Sequence, residues 1–239
     1  MRMLSFILGF LILAACVAVP LPALDSRLPF SDHMLRHTTL LLLAAPLLAM
    51  AIPAKNFPGS RLAGLSRLTA RMPVVAWLSG ILVMWLWHIP AWYNATAGPG
   101  TGILSCAPLA PALFLHGNAT AALAGPWISV SRAIPLLHDG SLLAAGFLFC
   151  WPVVTPYASY RLPPLRGVLY LASACICCSL LGLLITFAHP GTFRGVSMTD
   201  QQTGGMIMWI PCCVVYLTAS MGLLLQWLSR KETVATVSI

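Results

Sequence analysis

The chain alternates long apolar runs with short polar interruptions. Apolar stretches near 4–21, 34–52, 73–92, 136–154, 167–188 and 204–228 approach the roughly 20 residues a helix needs to cross a hydrocarbon core about 30 Å thick. In lipid the backbone must satisfy its own hydrogen bonds, so runs of this length read as helices. The pattern predicts an all-α fold: a polytopic transmembrane helical bundle of about six membrane-spanning helices. Residues 1–239 then form a single transmembrane domain, with no room for a soluble one. A further apolar stretch at 102–115 is short and interrupted by Pro108 and Pro111. It reads as an interfacial or re-entrant part of a long outer loop, 93–135.

Composition agrees with this pattern. Of 239 residues, 59% are hydrophobic and 8% charged, where a soluble domain carries roughly 25% charged residues. The net charge of +8 is a topology signal. With the N-terminus inside and the spans alternating, Arg2, Lys55, Arg61, Arg67, Arg71, Arg161, Arg166, Arg230 and Lys231 fall on the inner side. Only Arg27, Arg36, Arg132 and Arg194 fall outside. Positive residues favour the cytoplasm, which predicts that both termini are cytoplasmic. The basic excess implies no nucleic-acid partner; the bilayer is the partner it implies. The first run also resembles a signal segment, and Leu13-Ala14-Ala15-Cys16 resembles a lipoprotein cleavage box, but the apolar run continues past Cys16. It reads as a span.

The inner loop 55–72 repeats Leu62, Leu65 and Leu68 at helical spacing, interleaved with Arg61, Arg67 and Arg71. A basic amphipathic helix on the inner membrane surface is expected, its arginines among anionic headgroups. The triplets at Asn94 and Asn118 occur readily by chance and carry no weight, and Gly204-Gly205 lacks the strand that a nucleotide fingerprint requires.

This topology puts all six histidines on the outer side. His33 and His37 start the second span, His88 ends the third, His138 opens the fourth, His189 ends the fifth and His116 lies in the outer loop. His33 and His37 are one helical turn apart and share a face, so two imidazoles can reach one metal ion. Interfacial histidines also serve as simple hydrogen-bonding groups at headgroup level, the better reading for His116 alone. The His33/His37 pair taken with His88 and His138 favours a metal site, because polar residues inside membranes tend to be functional. Asp32, Asp139 and Asp200 are candidates to orient ring N–H groups. Asp200, Gln201 and Gln202, where the sixth span begins, either cap that helix or line a site. Met34, Met198, Met206 and Met208 near the same face add soft thioethers that favour Cu(I).

Of the 8 cysteines, Cys150, Cys175, Cys177, Cys178, Cys212 and Cys213 lie within spans. Counting rise per residue lets Cys178 and Cys213 meet. Packing as small apolar residues is the expected role, with Cu(I) binding as the alternative. Trp87, Trp92, Tyr93 and Trp209 read as interface anchors.

The motifs resemble a known family. His33-Met34-Leu35-Arg36-His37 precedes a leucine run ending in Ala45-Pro46-Leu47-Leu48. Trp87-His88-Ile89-Pro90 follows, then His138 ahead of Phe149-Cys150-Trp151-Pro152, then Thr186-Phe187 and Asp200-Gln201-Gln202-Thr203-Gly204-Gly205-Met206-Ile207-Met208-Trp209. This ordered set, from about 31 to 228, resembles the CtaG family of multi-spanning assembly factors for caa3-type cytochrome c oxidase. The resemblance implies a protein of the bacterial cytoplasmic (inner) membrane that helps mature a haem–copper oxidase, with cytochrome c oxidase subunits as partners. It carries the family's histidine positions onto His33, His37, His88 and His138. Two departures stand out: the outer loop is long for the family, and Cys212-Cys213 replace small glycine-like residues.

The expected function is therefore a copper-binding, chaperone-like assembly factor, not an enzyme. His33 and His37 would form the core of the site and His88 and His138 would complete it. Two alternatives remain: a haem-binding membrane electron carrier using His88 and His138 as axial ligands, and a copper importer using the buried cysteines as a path.

Overall fold

The computed structural model describes residues 2–18, 28–53, 61–96 and 130–237. Among them, helices α1 (Arg2–Ala18), α2 (Pro29–Ala51), α3 (Arg61–Arg71), α4 (Pro73–His88) and α5 (Pro90–Thr96) precede α6 (Val130–Val154), α7 (Pro164–Phe187) and α8 (Met198–Val237). No strand occurs among the described residues. The fold is an all-α membrane bundle, in rough agreement with about six spans. Helices α2, α6, α7 and α8 are long and apolar enough to cross, the bent pair α3–α4 supplies a fifth candidate, and α1 is a shorter apolar helix. Leu169, Ile176, Leu180 and Leu184 on α7, with Val214, Leu217 and Met221 on α8, are exposed. Such an apolar outer surface suits contact with hydrocarbon. Most of the loop 93–135, with its 102–115 stretch, His116 and the Asn118 triplet, lies outside the described residues.

Helix α2 is regular to Thr39, widens into a π turn over Leu40–Ala44, then resumes as Ala45–Ala51. Pro46 is the physical cause. It has no N–H for the Leu42 carbonyl, and its ring crowds that carbonyl in an α turn. The chain responds with a five-residue bond, Ala45 N–H to the Leu40 carbonyl. The widened turn lies just after His37.

Helix α3 meets α4 at 93°, turning at Met72, which leaves helical geometry ahead of Pro73. It therefore lies across one end of the bundle, as expected of a surface helix. Arg61, Arg67 and Arg71 are exposed, while Ala63, Ser66 and Thr69 are buried. Along this docked edge Leu62 and Leu65 pack beside these small residues against the core, while Leu68 is 53% exposed. Ser66 anchors this edge. Its hydroxyl accepts the Trp151 indole N–H at 2.9 Å and pairs with Thr155 at 2.9 Å.

At the other end, α8 packs along α7 and, at its start, against α2. Gly204 and Gly205 allow this approach. A Cβ at Gly204 would stand 2.5 Å from Phe30, and one at Gly205 would collide with Thr186. Helix α6 packs on both α2 and α4. The starts of α2 and α8, the ends of α4 and α7 and an early turn of α6 therefore gather at one end, which carries the histidines.

Candidate metal centre

Helix α2 presents His33 and His37 from one face, their ring centroids 3.8 Å apart. Helix α6 brings His138 against both, with centroids at 5.2 Å from His33 and 4.1 Å from His37. One ring nitrogen from each of the three lies within 4.8 Å of the others. Bonds of about 2 Å set ligand nitrogens about 3.3 to 3.5 Å apart, so the three rings would close in to share one ion.

Hydrogen bonding fixes how His138 presents itself. Its Nδ1–H donates to the Asp139 carboxylate at 2.8 Å, so Nε2 carries the lone pair. Among the described residues that buried Nε2 has no hydrogen-bond partner, and the same holds for both ring nitrogens of His37. Buried polar atoms without partners are rare because each forfeits its hydration for nothing. Several on two touching rings leave lone pairs turned toward one another, and neutral imidazole nitrogens of this kind could hold a metal ion.

His88 stands beside this trio. Its ring centroid is 5.5 Å from that of His37, but its nitrogens face elsewhere. Nδ1 meets the Met84 carbonyl one turn back in α4, and Nε2 meets the Met34 thioether at 3.2 Å. The four-histidine set expected from sequence thus divides: His33, His37 and His138 converge, while His88 pairs with a methionine. A side chain at a helix C-terminus readily donates to the last carbonyls, and that bond sets the rotation of the His88 ring.

The comparisons bear on the whole chain. Residues 1–104 and 107–230 match the family described as cytochrome c oxidase caa3 assembly factor (Caa3_CtaG). The chain belongs to that family. No curated protein and no solved structure matches it. Every motif that suggested the resemblance lies within the matched residues.

Two residues of this assembly factor take places other than the expected ones. The Asp200 carboxylate accepts the backbone N–H groups of Phe30 and Ser31 at 2.9 and 2.8 Å and the Ser31 hydroxyl at 2.6 Å. It caps α2 from a different helix and orients no ring N–H among the described contacts. Its effect on the histidines is indirect, through the helix that carries two of them. Gln201 donates to the Ile185 and Ala188 carbonyls at 3.1 and 2.8 Å, closing the end of α7. Both side chains go to helix ends because orphaned N–H and C=O groups there have no partners of their own.

Other placements refine the reading. Trp87 and Tyr93 are buried, not interface anchors; Trp92 keeps an exposed position. The Trp87 indole donates to Ser141 at 2.9 Å and its ring lies 4.5 Å from His138. Tyr93 packs with Phe30 and Phe193 beside His33. His189 is exposed in the turn after α7, apart from the cluster, and His116 lies outside the described residues. Cys213 meets Cys175 at 3.5 Å, one turn from the expected Cys178. Arg36, counted among the outer-side cations, is 3% exposed. It donates to the Cys16 carbonyl at 2.8 Å, near the end of α1. No pattern in the sequence signalled the Met34–His88 contact, because it joins two helices.

Proposed function

We propose that this family member binds copper at His33, His37 and His138 and passes it to a cytochrome c oxidase subunit during assembly. One observation carries the reading: buried imidazole nitrogens on His37 and His138 that have no protein partner converge with His33. Imidazole suits copper, and ligands that are not thiolates leave the ion exchangeable, as delivery requires. Asp139 orients His138, and His88 stands in reserve beside the trio. The role is carriage without bond making or breaking, so the protein is not an enzyme. The charge distribution supports a multi-pass protein of the bacterial inner membrane with both termini cytoplasmic, which places the histidines on the outward face.

The haem-carrier reading is disfavoured by the packing. His37 and His138 rings are in contact, and the cavity bordered by His37 and His88 is about 10 Å³, room for one water-sized particle and not for a porphyrin.

The test is metal content and a visible spectrum on detergent-purified protein, comparing the parent with His33→Ala/His37→Ala. The copper held by the three histidines, about one per chain, is expected in the parent and lost from the variant, with no Soret band in either. A metal-free parent that still matures the oxidase would replace delivery with a scaffold role.

A further inference from the structure

Below the three-histidine cluster, the bundle encloses a small cavity of about 10 Å³, bordered by His37, Met84, His88, Met208 and Cys212. Met84, His88 and Cys212 are each buried, as is Met34, whose sulfur touches His88. The Cys178 thiol lies 3.8 Å from the Met84 sulfur. Met84, His88, Met208 and Cys212 thus line a space the size of one ion, and Met34 reaches it through its contact with His88.

The His88–Met34 contact is informative in its chemistry. Met84 offers a carbonyl oxygen to Nδ1, so Nδ1 carries the ring proton and Nε2 a lone pair. That lone pair faces the Met34 thioether at 3.2 Å, and a thioether has no proton to give. Two lone-pair donors therefore point at one another with no hydrogen between them, an arrangement a shared cation would satisfy. His37, 5% exposed with both ring nitrogens unpartnered, borders the same cavity.

We infer that the bundle holds a second metal site, one level deeper than the three-histidine cluster, in which His88 and the thioethers of Met34 and Met84 bind Cu(I). The ligand set selects the ion. Thioethers bind Cu(I) in preference to zinc or divalent copper. These ligands are all neutral, so no proton leaves on binding, and a monovalent ion adds the least charge to a buried site. Met208 and Cys212 share the remaining wall with Thr38, Leu41 and Leu142. His37 borders both sites and connects them. The inference shares the copper reading of the outer cluster but, His37 apart, none of its residues.

The test is anaerobic titration of the full-length detergent-purified protein with Cu(I) against a chromophoric Cu(I) chelator, with copper X-ray absorption to identify ligand atoms. Three proteins are compared: the parent, His33→Ala/His138→Ala, and Met34→Leu/Met84→Leu, the last nearly conserving volume. The parent should bind two equivalents with nitrogen and sulfur scattering. The histidine variant should keep one equivalent with sulfur scattering, and the methionine variant one with nitrogen scattering alone. A single nitrogen-only equivalent in the parent overturns the deeper site and leaves the outer one standing. Unchanged sulfur scattering in the methionine variant also overturns it. Sulfur-ligated copper retained in the histidine variant, with the parent binding no more than that, upholds the deeper site and removes the outer one.

Discussion

His138 donates its Nδ1 proton to the carboxylate of Asp139, its neighbour in sequence, across 2.8 Å. On a helix, adjacent side chains normally diverge, so the pair requires the ring to turn back. The result is an Nε2 lone pair committed to the cluster with His33 and His37.

Asp139→Asn should therefore weaken copper binding by about 10- to 100-fold, the usual cost of losing a carboxylate behind a histidine ligand. Competition against a calibrated chelator measures it. An affinity equal to the parent's would show that Asp139 does not orient the ring.

Asp200→Ala should lower stability first and metal binding second. It strips the cap from α2, leaving the Phe30 and Ser31 N–H groups without their acceptor and the Ser31 hydroxyl with the residue-200 carbonyl alone. A buried donor left unsatisfied costs about 1–3 kcal/mol. The thermal midpoint in detergent should fall, and Asp200→Asn should recover part of the loss by retaining one acceptor oxygen. A midpoint unchanged in the alanine variant would refute the cap.

Gly204→Ala tests the approach of α8 to α2. The added methyl would stand 2.5 Å from Phe30 and 3.2 Å from Met34, so one helix must move. Overpacking of this kind costs about 1–3 kcal/mol. Because Met34 and the helix bearing His33 and His37 take the displacement, copper affinity should fall together with the thermal midpoint.

Ser66→Ala serves as the contrast at the far end of the bundle. It leaves the Trp151 indole N–H and the Thr155 hydroxyl without their partner, at about 1–3 kcal/mol. The midpoint should drop with copper affinity unaltered, since distant sites without shared partners act independently. Equal loss of copper would mean that the two ends of the bundle are coupled.

Orientation is open to a reporter test. The proposed topology, with both termini cytoplasmic, predicts that a C-terminal fluorescent-protein fusion fluoresces in cells and that a C-terminal alkaline phosphatase fusion is inactive. The opposite pattern would place the histidines on the cytoplasmic side and exclude delivery to an outward copper centre.

The sequence alone determined whatever depends on run length, charge and local spacing. Long apolar runs specify helices because lipid leaves the backbone no other partner. The i, i+4 step of His33 and His37 puts them on one face regardless of what surrounds them, and Pro46 alone accounts for the π turn after His37. What crosses between helices was decided only by the tertiary structure. Which histidine joins the pair depends on how α4 and α6 are rotated about their axes, and no local period records that rotation. His138 therefore completes the trio while His88 turns to Met34. The same holds for Asp200 and Gln201. Their position at a helix start was legible, but the groups they satisfy belong to α2 and α7, brought within reach only because Gly204 and Gly205 let α8 approach so closely.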